Sequence, residues 1–249
     1  KVETRGEYLV VYDAGGTTLY ILTQSGLEKE LEMSSPIKTV RIANQGTVAV
    51  LMKEDQQYVV KLFDKKGNEL ANGKFYADKG SFPIDIALSY DGTKLAVDMV
   101  DVTQGKVNTT IAFYNFGSVG QSEIDNNVGT YTFEGVLVPE IEYVSNSRMI
   151  GMGTGRLLVF EGTQKPELVR EVEIEHEALS YFHNEKYIGI VYDNVDEIVV
   201  VCGLHALQKK ASEVVHRLAL AKQQVDITED TIITPIHIQN LVRKGYLEQ

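Results

Sequence analysis

The sequence is poor in cysteine, proline and tryptophan: it has one cysteine, Cys202, five prolines and no tryptophan. A single thiol excludes a disulfide framework within the chain and a zinc site built from cysteines. Basic residues are also scarce, with 24 lysines and arginines against 35 aspartates and glutamates, a net charge of −11. Because nucleic-acid binding relies on clustered lysine and arginine, we expect no nucleic-acid partner.

Long apolar segments are missing as well. No run approaches the roughly 20 consecutive apolar residues that span a bilayer, and residues 1–5 (KVETR) do not resemble a signal peptide. The chain opens without methionine, which leads us to expect that a preceding tag, signal or membrane anchor has been removed. One thiol fits the cytoplasm and equally a bacterial surface protein built without disulfides, so cysteine content leaves the compartment open.

Short β-rich runs dominate the first 200 residues. Most are bounded by Gly, Asn, Asp or Ser, the pattern of strands joined by turns. Amphipathic helices do not fit between them, which excludes the alternating pattern of a doubly wound α/β sheet. The predicted strands are residues 8–12, 18–22, 47–52, 58–63, 95–100, 110–114, 157–160, 186–192 and 197–201.

One layout of strands recurs four times, in residues 36–50, 83–97, 139–152 and 178–190. Each copy has an apolar strand, a polar turn and a second strand with a small residue at its centre, and a third strand follows. The small residues are Ala49, Ala96, Gly151 and Gly189. Repeats of roughly 40 to 50 residues with several strands each indicate β-propeller blades, whose central strands pack closely. A β-sandwich or a pair of barrels is the alternative.

We therefore predict an all-β protein, a β-propeller of about five blades in residues 1–202 whose first and last blades are incomplete. Residues 203–249 form a predicted helical appendage, because apolar residues from Leu204 to Leu218 recur at helical spacing. That helix would cover the last sheet edge or support dimerisation. Alternatively, residues 231–238 would extend as a strand and complete the first blade.

Two turns support the propeller by resemblance. Residues 89–97 (SYDGTKLAV) resemble the Ser-Pro-Asp-Gly-x-x-Leu-Ala turn of WD40-like bacterial propellers, with Tyr90 in place of the proline. Residues 63–69 (FDKKGNE) resemble the turn that ends a blade in the same proteins.

A longer stretch, residues 19–194, resembles an uncharacterised family of membrane-anchored propeller proteins of Gram-positive bacteria. Residues 43–50, 83–89, 112–117 and 184–189 carry this likeness. The resemblance implies an N-terminal membrane anchor that this chain lacks, and a propeller outside the cell. It implies no known activity, and members of such families run on into further blades, whereas this chain leaves the pattern near Cys202.

Few residues suggest catalysis. Residues 151–155 (GMGTG) are followed by a strand rather than a helix, which predicts a hairpin and not a phosphate-binding loop. The five histidines lack the spacing of zinc ligands, and no nucleophile elbow occurs. We predict no catalytic residue, cofactor or metal. An enzyme is the alternative, with Asp85, Asp98 and Asp101 gathered at one mouth of the channel.

Binding is the leading prediction. Residues 98–108 and 117–132 read as long polar loops, and aromatic residues crowd around them, although most of these should lie in the core between blades. The candidate binding residues are Asp98, Asp101, Tyr114, Phe116, Tyr131 and Phe133. We predict a non-catalytic binding or scaffolding module outside a bacterial membrane, with a protein or cell-surface polymer as partner. A cytosolic WD40-like assembly platform is a further alternative.

Overall fold

The computed structural model describes residues 1–76, 81–103, 105–174, 178–183, 187–192 and 198–202. The predicted helical appendage at 203–249, its dimerisation role and the alternative strand at 231–238 all lie outside these residues. The chain divides into two compact units, Lys1–Glu173 and Ile174–Gln249. A domain boundary at residue 202 therefore stays a prediction.

Five antiparallel sheets account for the described residues, and in each of them consecutive strands are neighbours. Sheet 1 contains β1 (Val2–Arg5), β2 (Tyr8–Tyr12), β3 (Thr18–Thr23) and β4 (Gly26–Glu32). Sheet 2 contains β5 (Ile37–Ile42), β6 (Val48–Glu54), β7 (Gln57–Phe63) and β8 (Glu69–Tyr76). Sheet 3 contains β9 (Ser81–Leu88), β10 (Lys94–Thr103), β11 (Lys106–Asn115) and β12 (Asn127–Glu134). Sheet 4 contains β13 (Glu140–Tyr143), β14 (Arg148–Gly153), β15 (Arg156–Glu161) and β16 (Glu167–Glu173), and sheet 5 contains β17 (Ala178–His183), β18 (Tyr187–Tyr192) and β19 (Ile198–Cys202).

The predicted all-β class is confirmed, and four antiparallel four-stranded sheets are consistent with a propeller-like fold. The helical elements of the described residues are two 3₁₀ turns, Gly120–Ser122 and Ile124–Asn126. Sheet 1 has all four strands, so the expectation of an incomplete first blade is wrong. The repeat was predicted to contain three strands, because the fourth strand of sheets 1 to 4 was not recognised as part of it.

Within the first unit, the central strands of sheets 2 and 3 are buried on both faces. Along β6, Val48, Val50 and Met52 pack with sheet 1. The intervening Ala49 and Leu51 pack with sheet 3. A strand of this kind is a continuous apolar run, since neither of its faces meets water. Each sheet therefore depends on its neighbours to cover it, as expected of stacked blades.

The predicted small residues lie on the second strands, but Ala49 and Ala96 are near the start of β6 and β10 rather than at the strand centre. Ala49 and Ala96 are fully buried. A Cβ atom added to Gly151 would lie 3.1 Å from Cγ1 of Val138, closer than ordinary contact allows. Ala49 and Ala96 belong to the cores between sheets, so a larger side chain there would push the sheets apart.

The turn at residues 89–93 forms the tight hairpin that the resemblance implied. Gly92 has a positive φ of 66°, a conformation that costs glycine least. Asp91 accepts a hydrogen bond from the hydroxyl of Ser89 at 2.6 Å and another from the backbone N–H of Thr93 at 3.0 Å. The backbone N–H of Asn44 donates to the Tyr90 carbonyl at 2.8 Å, which links this turn to sheet 2.

The four outer strands of sheets 1 to 4 share a β-bulge. In each, one residue lacks a partner on the neighbouring strand: Glu28, Leu70, Val128 and Val169. Bulges twist an exposed strand edge and hinder its pairing with other chains. The bulge therefore belongs to the repeat, although no residue type marks it in the sequence.

Replacing Ala96 with leucine tests the close approach of the sheets. We expect Ala96→Leu to lower the free energy of unfolding by about 1–3 kcal/mol, because the added side chain overpacks a fully buried site. Val102→Leu on the same strand is the matched control, since Val102 is half exposed, and should change stability by less than about 0.5 kcal/mol. Urea unfolding of both variants measures the difference. Equal stabilities would contradict the packing described here.

Candidate functional site

Two features of the first unit combine polar chemistry with a cavity. One lies where the first strands of sheets 1 to 4 meet, and the other lies between sheets 2 and 3. We call the first the inner-strand cluster. It consists of Glu3 and Arg5 on β1, Arg41 on β5, Asp85 on β9, and Glu140 and Glu142 on β13.

Arg41 is the centre of the inner-strand cluster. Its Nη2 donates to both carboxylate oxygens of Asp85, at 2.9 and 3.1 Å, and its Nη1 donates to Oε1 of Glu3 at 3.2 Å. Asp85 also accepts a hydrogen bond from the backbone N–H of Ile141 at 3.1 Å. This network joins the first strands of sheets 1 to 4, because its members come from β1, β5, β9 and β13.

A second ion pair connects β1 to β13. Nη2 of Arg5 lies 3.4 Å from Oε1 of Glu142. The guanidinium of Arg5 also stacks 4.0 Å from the ring centre of Tyr90. The small pocket beside these residues has a volume of about 90 Å³, room for a few water molecules rather than for a substrate.

Burial changes the proton affinity of the cluster. It raises the pKa of Asp85, although Arg41 opposes the change. It also raises the pKa of Glu3, again against the effect of Arg41. For Arg41 burial acts in the opposite sense, but the carboxylates of Asp85 and Glu3 outweigh it and raise the pKa of that guanidinium.

Asp98 is a buried acidic residue on the strand next to that of Asp85. The two residues are opposite partners on β10 and β9. Asp98 is 0% exposed, and neither of its carboxyl oxygens has a hydrogen-bond partner in the described part of the chain. Burial, with a smaller contribution from the Asp85 charge, raises the pKa of Asp98 to about 8. Asp98 is therefore a neutral acid at pH 7.

The three acids of the enzyme alternative do not converge as a group. Asp85 and Asp98 share one face of sheet 3, but Asp101 is three residues beyond Asp98 on β10 and so lies on the opposite face. Access is the obstacle, because Asp98 is sealed from solvent and Asp85 is only 6% exposed.

The second feature is a cleft of about 370 Å³, which we call the β8–β11 cleft. Its apolar wall is formed by residues of β7, β8, β10 and β11 and by the residue that follows β11. Its polar groups come from β8 and from the 3₁₀ segment before β12. The lining residues are Val60, Leu62, Ala71, Asn72, Gly73, Lys74, Phe75, Leu95, Tyr114, Phe116, Asp125 and Asn126.

Aromatic rings shape the β8–β11 cleft. Phe75 and Tyr114 meet edge to face, with ring centres 6.3 Å apart. Burial raises the pKa of Tyr114, and a hydrogen bond with Asn127 opposes this change only in part. At the rim, Asp125 and Asn126 have positive φ angles of 54° and 58°, conformations that asparagine and aspartate tolerate better than most residues.

The predicted binding residues separate into three places. Tyr114 and Phe116 line the β8–β11 cleft. Asp98 and Asp101 lie within β10, so the long loop predicted at residues 98–108 is wrong; β10 and β11 are ten-residue strands that pair along their whole length. Residues 98–103 (DMVDVT) alternate apolar and polar side chains only in part, which obscured the strand.

Tyr131 and Phe133 lie on β12 rather than in a loop, and both pack toward sheet 4. The Phe160 ring is 5.3 Å from the ring centre of Tyr131 and 6.3 Å from that of Phe133. The Tyr131 hydroxyl donates to the Pro166 carbonyl at 3.2 Å. These two aromatics therefore belong to the core between sheets, the position expected for most of the group. The polar connection itself is shorter than predicted, because β12 begins at Asn127.

Sequence reasoning missed Phe75 and Lys74 in the cleft, and Arg41, Glu140 and Glu142 in the inner-strand cluster. A charge at the centre of an apolar strand, as in residues 37–42 (IKTVRI) and 83–88 (PIDIAL), was the available signal for the cluster. Within the described ranges, no group of three or more His, Cys, Asp or Glu side chains is arranged to hold a metal ion. The same residues include no helix of the length and apolarity that a membrane span requires.

Asp98 predicts a pH dependence of stability. Its folded pKa is raised above the unfolded value of about 3.9, so the folded state binds more protons between these values and stability falls as pH rises from about 4 to 8. We expect Asp98→Asn to reduce this slope by up to about 1.4 kcal/mol per pH unit. Because the pKa values of Glu3 and Asp85 are raised too, the Asp98→Asn variant should keep a pH slope of the same sign that is smaller than that of the parent protein.

Urea unfolding between pH 5 and 8 measures the slope. Asp101→Asn is the matched control, because this partly exposed carboxylate lies on the same strand, and it should behave like the parent protein. A parent slope that Asp98→Asn leaves unchanged would show that Asp98 is not buried as a neutral acid.

Several solved structures are similar to this chain at low sequence identity. None of the curated proteins matches the chain. A solved protein from Lactobacillus plantarum is 16% identical, with 81% of this chain and 65% of that one aligned and a TM-score of 0.50. A Bacteroides caccae protein of unknown function is 14% identical over 82% of this chain and 71% of its own, with a TM-score of 0.48. Hsv2 of Kluyveromyces lactis, a propeller, is 10% identical over 79% and 78%, with a TM-score of 0.40.

A single family profile spans most of the sequence. It matches residues 1–235 and describes a family of unknown function. The chain belongs to that family, DUF5711.

Proposed function

We propose that this chain is a non-catalytic binding module whose ligand, a protein segment or a cell-surface polymer, occupies the β8–β11 cleft. The observation that carries the proposal is the composition of that cleft. Aromatic walls from Phe75, Tyr114 and Phe116 adjoin polar groups from β8 and the 3₁₀ segment. Its volume of about 370 Å³ falls within the range of ligand pockets.

The frame around the cleft is suited to recognition without movement. Leu62 and Leu95, which line it, belong to the core between sheets 2 and 3. A close-packed core transmits strain and resists deformation. The ligand would therefore meet a preformed surface, and of the lining residues only Phe116, Asp125 and Asn126 lie outside regular strands.

The separation of the cleft from the buried carboxyls supports a non-catalytic role. Leu95 faces the cleft, whereas Asp98, three residues later on β10, faces sheet 4. Sheet 3 thus stands between the ligand and Asp98, whose pKa is raised to about 8. A general acid must come within hydrogen-bond reach of the group it protonates.

An enzyme is the second candidate, favoured by one observation. Asp85 and Asp98 are adjacent carboxyls with raised pKa values, the arrangement that often marks an acid–base pair. It would require a substrate to reach the interface between sheets 3 and 4. We rank it below binding, because both side chains are buried.

The proposal extends to architecture and location. We propose five blades, since β17–β19 of sheet 5 repeat the antiparallel order of the first three strands of the other sheets. The family resemblance supports an N-terminal anchor and a position outside a bacterial membrane. Protease accessibility of the full-length protein on intact cells tests that position, and a protein degraded only after lysis would contradict it.

Two probe classes test the binding function: displayed random ten-residue peptides and soluble peptidoglycan fragments. We expect a ligand from one class to bind the parent protein and to be recovered chemically unchanged. Tyr114→Ser and Phe75→Ser should each weaken it at least tenfold, because central aromatic contacts carry much of an interface's affinity. Tyr20→Ser is the control, since this exposed tyrosine lies on β3 of sheet 1. Binding that ignores the cleft substitutions, or no binding by either class, would contradict the proposal.

A further inference from the structure

We propose that the ligand of the β8–β11 cleft is an extended polypeptide that adds as a strand to the free edge of β8. This inference rests on the binding function proposed above and names the ligand class and the way in which it is held. In strand addition, main-chain hydrogen bonds supply affinity and pockets for alternate side chains supply specificity.

The first step is the free edge. β8 is the last strand of sheet 2 and pairs with β7 along its length. Across the described ranges, no strand pairs with its other side. Beyond the bulge at Leu70, the outward N–H and C=O groups of β8 are therefore available to another chain. Four consecutive residues of this strand, Asn72, Gly73, Lys74 and Phe75, line the cleft, so the edge and the cavity form one surface.

The second step is a comparison with the other outer strands. β4 (GLEKELE) and β16 (ELVREVE) each carry four charged side chains, which oppose pairing with a further strand. β8 (ELANGKFY) carries only Glu69 at its start and Lys74, and Glu69 is held by Lys61 at 3.0 Å. Its central residue, Gly73, has no side chain to cover the backbone. β8 is therefore less protected than β4 and β16.

The remaining outer strand, β12, has few charges but is already engaged on the side of sheet 4. Tyr131 donates to the Pro166 carbonyl. A Cβ atom added to Gly129 would lie 3.7 Å from the same oxygen. The chain that precedes β16 thus approaches β12, whereas β8 faces an open cavity.

The third step is the pocket for side chains. Side chains of an added strand would alternate between the cleft and solvent, because successive residues of a strand point to opposite faces. Phe75, Tyr114 and Phe116 form an aromatic wall. The side chains of the ligand that face this wall should therefore be aromatic or branched aliphatic. Ile124, which precedes the rim residue Asp125 in sequence, is 86% exposed, so apolar surface next to the rim is in contact with water.

The fourth step is charge. The ammonium of Lys74 forms no ion pair with any carboxylate of the described chain, although it lies beside the cleft. A carboxylate on the ligand would complement it. The expected ligand is therefore an extended segment that alternates aromatic or β-branched residues with polar ones and carries an acidic residue opposite Lys74.

The test begins with the displayed ten-residue library, selected against the full chain, and continues with a synthetic copy of the best peptide. We expect enrichment of aromatic and β-branched residues with Asp or Glu. Methylation of single backbone nitrogens should weaken binding at least tenfold at alternate positions and less than threefold between them, because only every second N–H faces β8. Lys74→Glu should weaken binding at least fivefold, and Lys106→Glu, on the exposed start of β11, should not.

The outcomes separate the two proposals. Peptide binding that depends on Tyr114 but shows no two-residue period in the methylation series overturns strand addition and leaves the binding function standing. Binding of peptidoglycan fragments alone has the same consequence. Failure of both probe classes overturns both proposals, and an alternating series together with the Lys74 effect supports both.

Discussion

The burial of sheets on both faces is the constraint on which the rest of the first unit depends. Along β6 and the start of β10, successive residues alternate between two cores, so neither face of these strands meets water. A sheet of this kind has no stable isolated form, because its apolar faces need partners. The small residues Ala49 and Ala96 follow from the same constraint, as they let neighbouring sheets approach.

The same constraint decides where chemistry can occur. Arg41 joins Asp85 and Glu3 on the inner strands, whereas the buried Asp98 has no hydrogen-bond partner in the described chain and has its pKa raised to about 8. None of these groups lines the β8–β11 cleft. What is left for recognition is the outer side, where sheets diverge and the β8–β11 cleft opens between them.

The sequence predicted the inner part of each sheet better than the outer part. Residues 48–52 (VAVLM) form an unbroken apolar run because both faces are buried, and such runs stand out at each repeat. The outer strands are half exposed and bulged: in β8 (ELANGKFY) the bulge at Leu70 breaks the alternation that marks a strand. In the cleft, Tyr114 and Phe116 were predicted as binding residues because they are aromatic, but their partner Phe75 lies on that unrecognised strand. Asp98 was placed in a loop because it is polar.

Native-state hydrogen exchange of the amides in β6, β10 and β14, followed with increasing urea, tests the mutual dependence of the sheets most directly. If each sheet is stable only against its neighbours, the slowest amides of all three strands exchange with one free energy and one urea dependence, those of global unfolding. If one sheet opens at a lower free energy while the other two keep full protection, the sheets are independently stable and the account is contradicted.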